Sequence, residues 1–77
     1  MDTAKRTIII AETLGQGAIY AARYGYSRKD VFSTEESLRG LAPTRVIIIG
    51  QREDKYMADT IEIFRHHGAE ILVGTLG

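Results

Sequence analysis

The chain has seventy-seven residues, ten basic side chains balanced by ten acidic ones, and no cysteine. A chain of this length makes one domain, residues 1–77, and buries only about 60–65 % of the surface its unfolded form exposes. Balanced, dispersed charge argues against a nucleic-acid partner, and the lack of thiols excludes disulfide staples, thiolate catalysis and cysteine-based zinc sites.

The first apolar run, Ile8-Ile9-Ile10-Ala11, predicts a strand over Thr7 to Ala11. Its continuous apolar character is that of a parallel strand covered on both faces. A helix is expected from Gly15 to Tyr24, stopped by Gly25 in a left-handed conformation. Leu14, Ala18, Ala21 and Ala22 share one face of it and are expected to lie on the sheet. Tyr20 and Tyr24 form a second stripe, read either as the edge of the core or as a protein interface.

Val31-Phe32-Ser33 predicts a short second strand. Thr34, followed by Glu35 and Glu36, reads as the N-cap and acidic first turn of a brief helix ending near Gly40. The second long apolar run predicts a third strand over Arg45 to Ile49, then a loop, Gly50-Gln51-Arg52-Glu53. Asp54 is the expected N-cap of the longest helix, which runs to about His67 with Gly68 as its stop. Met57, Ile61 and Phe64 make its core stripe. Tyr56, Thr60, Ile63 and His67 make an adjacent stripe, read as a wider core face or as an interface. Glu70 to Val73 is the fourth strand, and the sequence stops at Gly77 without a further helix.

The two most apolar strands belong in the middle of the sheet, whereas strand two is short and strand four carries Glu70, as sheet margins do. The expected fold is therefore α/β, three-layered and Rossmann-like, with a four-stranded parallel sheet in the order 2-1-3-4; 3-2-1-4 is the alternative. Right-handed crossovers place the first helix alone on one face. One helix cannot cover four strands, so a homo-oligomer is expected, most simply a two-fold dimer. Lys5-Arg6 is followed by a short apolar strand and Glu12, unlike a secretory leader, and no run approaches the roughly 20 apolar residues that span a bilayer. A cytoplasmic location and no membrane partner are expected.

In open α/β sheets, ligands bind beyond the carboxyl ends of the strands where strand order reverses. The rim of that crevice is Glu12, Thr13, Gly15, Gln16 and Gly17 from one loop, with Gly50, Gln51, Arg52, Glu53 and Asp54 from the other. Gly15-Gln16-Gly17 resembles the start of a dinucleotide-binding fingerprint, in which glycines let backbone amides approach a pyrophosphate. Tyr20 holds the third glycine position, and the P-loop lysine-serine pair is absent. The alternative is glycines that make a tight strand-to-helix turn.

Ile8-Ile9-Ile10-Ala11-Glu12 resembles the first motif of Toprim domains, where a glutamate closes strand one and later acids hold magnesium. That resemblance implies Glu12 and Asp54 as candidate metal ligands, although the family's paired aspartates are missing. Leu38-Arg39-Gly40-Leu41 and Arg45-Val46-Ile47-Ile48-Ile49-Gly50 resemble the approach to the Walker B strand of phage and helicase-type P-loop NTPases, with Gly50 in place of the acid. With Ser33-Thr34 closing strand two, the same arrangement is similar to small uncharacterised α/β proteins of tailed actinobacterial bacteriophages. That similarity implies an accessory that binds itself or a host protein.

His66-His67 point about 100° apart on a helix, so they are not the chelating pair that i, i+4 histidines make. They suit the C-terminal end of the helix dipole. No serine, histidine and acid spacing suggests a nucleophilic triad. The expected function is a non-enzymatic interaction or self-assembly module with no cofactor and no assigned metal. The alternative is a nucleotide- or magnesium-binding phosphoryl-transfer fragment.

Overall fold

The structure, a computed structural model, describes residues 6–34, 36–38, 40–50 and 55–75, with the side chains of residues 36, 55 and 56 also outside the description. Four strands, β1 (Thr7–Ala11), β2 (Val31–Phe32), β3 (Arg45–Ile49) and β4 (Glu70–Gly74), form one all-parallel sheet in the order β2-β1-β3-β4. Two helices, α1 (Leu14–Tyr24) and α2 (Lys55–His66), supply crossovers, consistent with a Rossmann-like fold. Among the described residues, no helix is long and apolar enough to cross a membrane.

The central pair carries the core because both faces of β1 and β3 are apolar. Strand alternation sends Ile8, Ile10, Val46 and Ile48 to one side, where Leu38, Met57, Phe64 and Ala69 pack on them. Met57 and Phe64 are buried, and Ile61 packs against the same cluster, so the predicted core stripe of α2 is found. The other side gathers Ile9, Ala11, Ala21, Val31, Ile47 and Ile49, with Tyr20 and Tyr26 packed at its border.

The sheet face of α1 differs from the expected one. Leu14 is 58 % exposed and Ala22 is exposed, whereas Gly17 and Ala21 are buried. Gly17 decides this rotation: a Cβ there would stand 2.2 Å from Val31 Cγ1 and 3.2 Å from Ala11 Cβ. The helix thus approaches β1 and β2 at a distance only glycine permits. Gly25 and Gly68 follow the two helices with φ of 82° and 95°, the left-handed stops that the sequence predicts.

The brief second helix is instead a 3₁₀ turn, Glu36–Leu38. Thr34 is its cap, for the Ser37 amide donates to Thr34 Oγ1 at 3.4 Å. A short segment in front of Pro43 has too few residues to pass the cost of helix nucleation. A further 3₁₀ turn, Arg28–Asp30, precedes β2, with Ser27 Oγ accepting from the Lys29 amide at 3.1 Å. The Asp54 cap lies outside the described residues.

Candidate functional site

At the carboxyl end of the sheet, β1 and β3 diverge into the two loops of the crevice. Ala11 pairs with Ile49, so Glu12 and Gly50 leave the sheet side by side. Gly50 has a φ of 78°, and a side chain at this position would lie 3.8 Å from Glu12 Cβ and 3.9 Å from its Oε2. The Glu12 carboxylate therefore stands at the mouth of the crevice. Gln51, Arg52, Glu53 and Asp54 lie outside the described residues, and so does any approach of Asp54 to Glu12.

The N-terminus of α1 is capped by its own chain. Thr13 is extended and caps the helix, its Oγ1 accepting from the Gln16 amide at 3.1 Å. The Gly17 amide donates to the Thr13 carbonyl at 3.1 Å. A phosphate that took the Gln16 amide would have to displace the Thr13 cap. Gly15 is exposed, and among the described residues a Cβ there would meet Thr13 Oγ1 alone, at 3.9 Å. Among the described residues, no group of three or more histidines and acids is placed to hold a metal ion.

The interface candidates fall into two places. On the α1 side of the sheet, Tyr20 lies beside Tyr24, their ring centres 4.5 Å apart, and stacks with Tyr26 at 6.4 Å. Tyr20 reaches across the sheet until its hydroxyl comes within 3.0 Å of where a Gly74 side chain would begin. These rings extend the cover of α1, whose backbone packs mainly over β1 and β2, towards β3 and β4. Burial, helped by the neighbouring Tyr24 and Tyr26, pushes the Tyr20 pKa above the usual phenol range.

The raised value fixes the direction of a pH effect. Tyr20 contributes stability that is fully present below the unfolded phenol pKa of about 10 and is lost as pH rises through the higher folded value. Absorbance at 295 nm during alkaline titration should show a phenol that ionises above pH ~10, and Tyr20→Phe should remove that component. Retention of the component in the variant would assign it to another ring.

The second place is the flank of α2. Ile63, Phe64 and His67 line a groove of about 400 Å³ with Leu41, Ala42, Pro43 and Thr44. Ile63 is 56 % exposed, Thr60 is half-buried and His67 is exposed. The Tyr56 side chain lies outside the described residues. The His66 and His67 rings meet edge to face at 6.1 Å, on the exposed end of the helix.

At the far edge of the sheet, Arg45 Nε donates to Glu70 Oε1 at 2.9 Å across β3 and β4. That carboxylate, and more weakly the Tyr26 hydroxyl, raises the Arg45 pKa. The strand beyond this pair is apolar and open: Leu72 is 39 % exposed and Val73 is 80 % exposed. Tyr26, Leu72 and Val73 were not among the residues singled out from the sequence. Glu70 carried the available signal, because a strand read as a sheet margin must present its apolar residues at an edge. The chain matches no protein-family model, no curated protein and no solved structure.

Proposed function

We propose that the chain is a non-enzymatic interaction module whose principal activity is self-association, in the setting of a phage accessory or host-interaction protein that the sequence similarity suggests. The observation that carries this reading is the edge of β4, where Leu72 and Val73 are exposed on a strand with one side unpaired among the described residues. Soluble chains usually blunt such edges with charge, proline, bulges or a covering element. Tyr24, Leu14 and Ile19 add exposed apolar surface on α1. The Thr13 cap on the α1 terminus speaks against the phosphate site that the nucleotide alternative would place there.

The solution mass tests the reading. Sedimentation equilibrium should give a multiple of the 8.6 kDa chain mass that falls towards the monomer on dilution. A monomer at every concentration would defeat self-association. Thermal melts with millimolar magnesium, ATP, GTP or NAD should leave the midpoint unchanged. A ligand at 100 times its dissociation constant adds about 2.7 kcal/mol, worth roughly 4–8 °C per kcal/mol in a domain of this size, so such a shift would favour the nucleotide reading.

A further inference from the structure

We infer that a second copy of the chain adds to the sheet through β4, antiparallel, about a two-fold axis that passes beside Leu72. This inference rests on the self-association reading and specifies its geometry. The Glu70 amide donates to the Thr44 carbonyl at 2.9 Å, turning the backbone of Glu70 towards β3. Backbone groups alternate along a strand, so Leu72 and Gly74 also face β3, while Ile71 and Val73 turn their N–H and C=O groups to the open side. Those two residues are the donors and acceptors an added strand must meet.

Self-pairing centred on Leu72 uses both of them. Ile71 lies opposite the partner's Val73 as a hydrogen-bonded pair, and Val73 opposite the partner's Ile71. Leu72 meets its own copy as the closer, non-hydrogen-bonded pair. This register overlaps the whole of Glu70–Gly74, whose midpoint is Leu72. The strand carries no proline or bulge that would oppose an added strand, and its one charge, Glu70, lies at its end and is paired with Arg45.

Charge and shape agree with the same register. Glu70, Leu72 and Gly74 share the face on which Tyr20 lies, because they pair with Arg45, Ile47 and Ile49. In the antiparallel pair the partner's Glu70 comes opposite Gly74, where the Tyr20 hydroxyl rests. Each Glu70 carboxylate keeps its own Arg45 at 2.9 Å, and the two Glu70 side chains lie at opposite ends of the ladder, so no like charges meet across the pair. On the other face, exposed Val73 packs against the partner's Ile71.

Single cysteines test the register in a chain that has none of its own. In a non-hydrogen-bonded antiparallel pair the Cα atoms are about 4.5 Å apart, within disulfide range. Leu72→Cys should therefore become a covalent dimer on mild oxidation. Val73→Cys should not, since its copy is displaced by two residues along the strand, beyond the roughly 7 Å limit. In the unaltered chain, hydrogen exchange at the Ile71 and Val73 amides should slow as concentration rises. Val73→Pro, which removes an outward N–H and no bond to β3, should return the mass to 8.6 kDa with circular dichroism unchanged. A dimer that cross-links equally through both cysteines, or leaves those two amides unprotected, overturns this geometry and leaves self-association standing through another surface. A monomer at every concentration overturns both and leaves the edge to a strand from a different protein.

Discussion

Phe64→Ala is expected to cost about 3–5 kcal/mol of folding stability, the usual penalty for emptying a buried phenylalanine site. Phe64 is 6 % exposed and packs in the cluster with Ile8, Val46, Leu38 and Met57 that holds α2 to the sheet. A domain of this length has roughly 4–12 kcal/mol in total, so the variant loses a quarter or more of its stability and is unfolded where the total lies at the low end of that range. Urea denaturation followed by circular dichroism measures the loss. Its neighbour gives the contrast: Ile63, 56 % exposed on the groove flank, should change stability by only about 0.5 kcal/mol when cut to alanine. The pair addresses the two readings of the α2 stripe. A loss at Ile63 that approached the loss at Phe64 and grew with protein concentration would put the Thr60, Ile63 and His67 flank in an interface.

The sheet was legible because its central strands advertise burial in composition. Thr7–Ala11 and Arg45–Ile49 are continuous aliphatic runs, and their bounds agree with the sequence reading to the residue. The strand order followed from the same source, with Glu70 marking β4 as a margin. The rotation of α1 was not legible. Counting apolar side chains puts Leu14 and Ala22 inward, yet the closest contact is made by Gly17, which has no side chain to count. A hydrophobicity pattern records what a residue gains by burial and is blind to what its absence of volume permits.

The crevice was half legible for a related reason. Topology alone brings Glu12 beside Gly50, because both leave neighbouring strands at paired positions. What the loops then do depends on side-chain direction, and the Thr13 hydroxyl turning back to cap its own helix is a local competition that spacing does not decide. The tyrosine layer is less legible still. Tyr20 and Tyr24 are one helical turn apart, but Tyr26 joins them only because Gly25 ends the helix and turns the chain back onto the sheet.

Gly17→Ala is the second large effect, and paired with Gly15→Ala it separates packing from helix propensity. Both glycines lie in α1, where alanine is intrinsically favoured by about 0.5–1 kcal/mol. At Gly15 the new Cβ has room, with Thr13 Oγ1 at 3.9 Å, so that gain should appear as added stability. At Gly17 the same atom meets Val31 Cγ1 at 2.2 Å, well inside contact, and Ala11 Cβ at 3.2 Å. Val31 can turn only by leaving its place between α1 and β1, and Ala11 has no rotamer to change. Either the helix lifts from the sheet or the strand shifts, an overpacking cost of about 1–3 kcal/mol that outweighs the propensity gain. Opposite signs at the two positions in urea midpoints would assign Gly17 to helix-to-strand packing. Equal gains would mean that α1 stands further from β2, and Gly17 would then be free for the ligand approach that the Gly15-Gln16-Gly17 pattern first suggests. The double variant Gly17→Ala with Val31→Ala decides the mechanism: if the clash with Val31 sets the cost, removing its two methyl groups should make Gly17→Ala less damaging in that background than in the native chain.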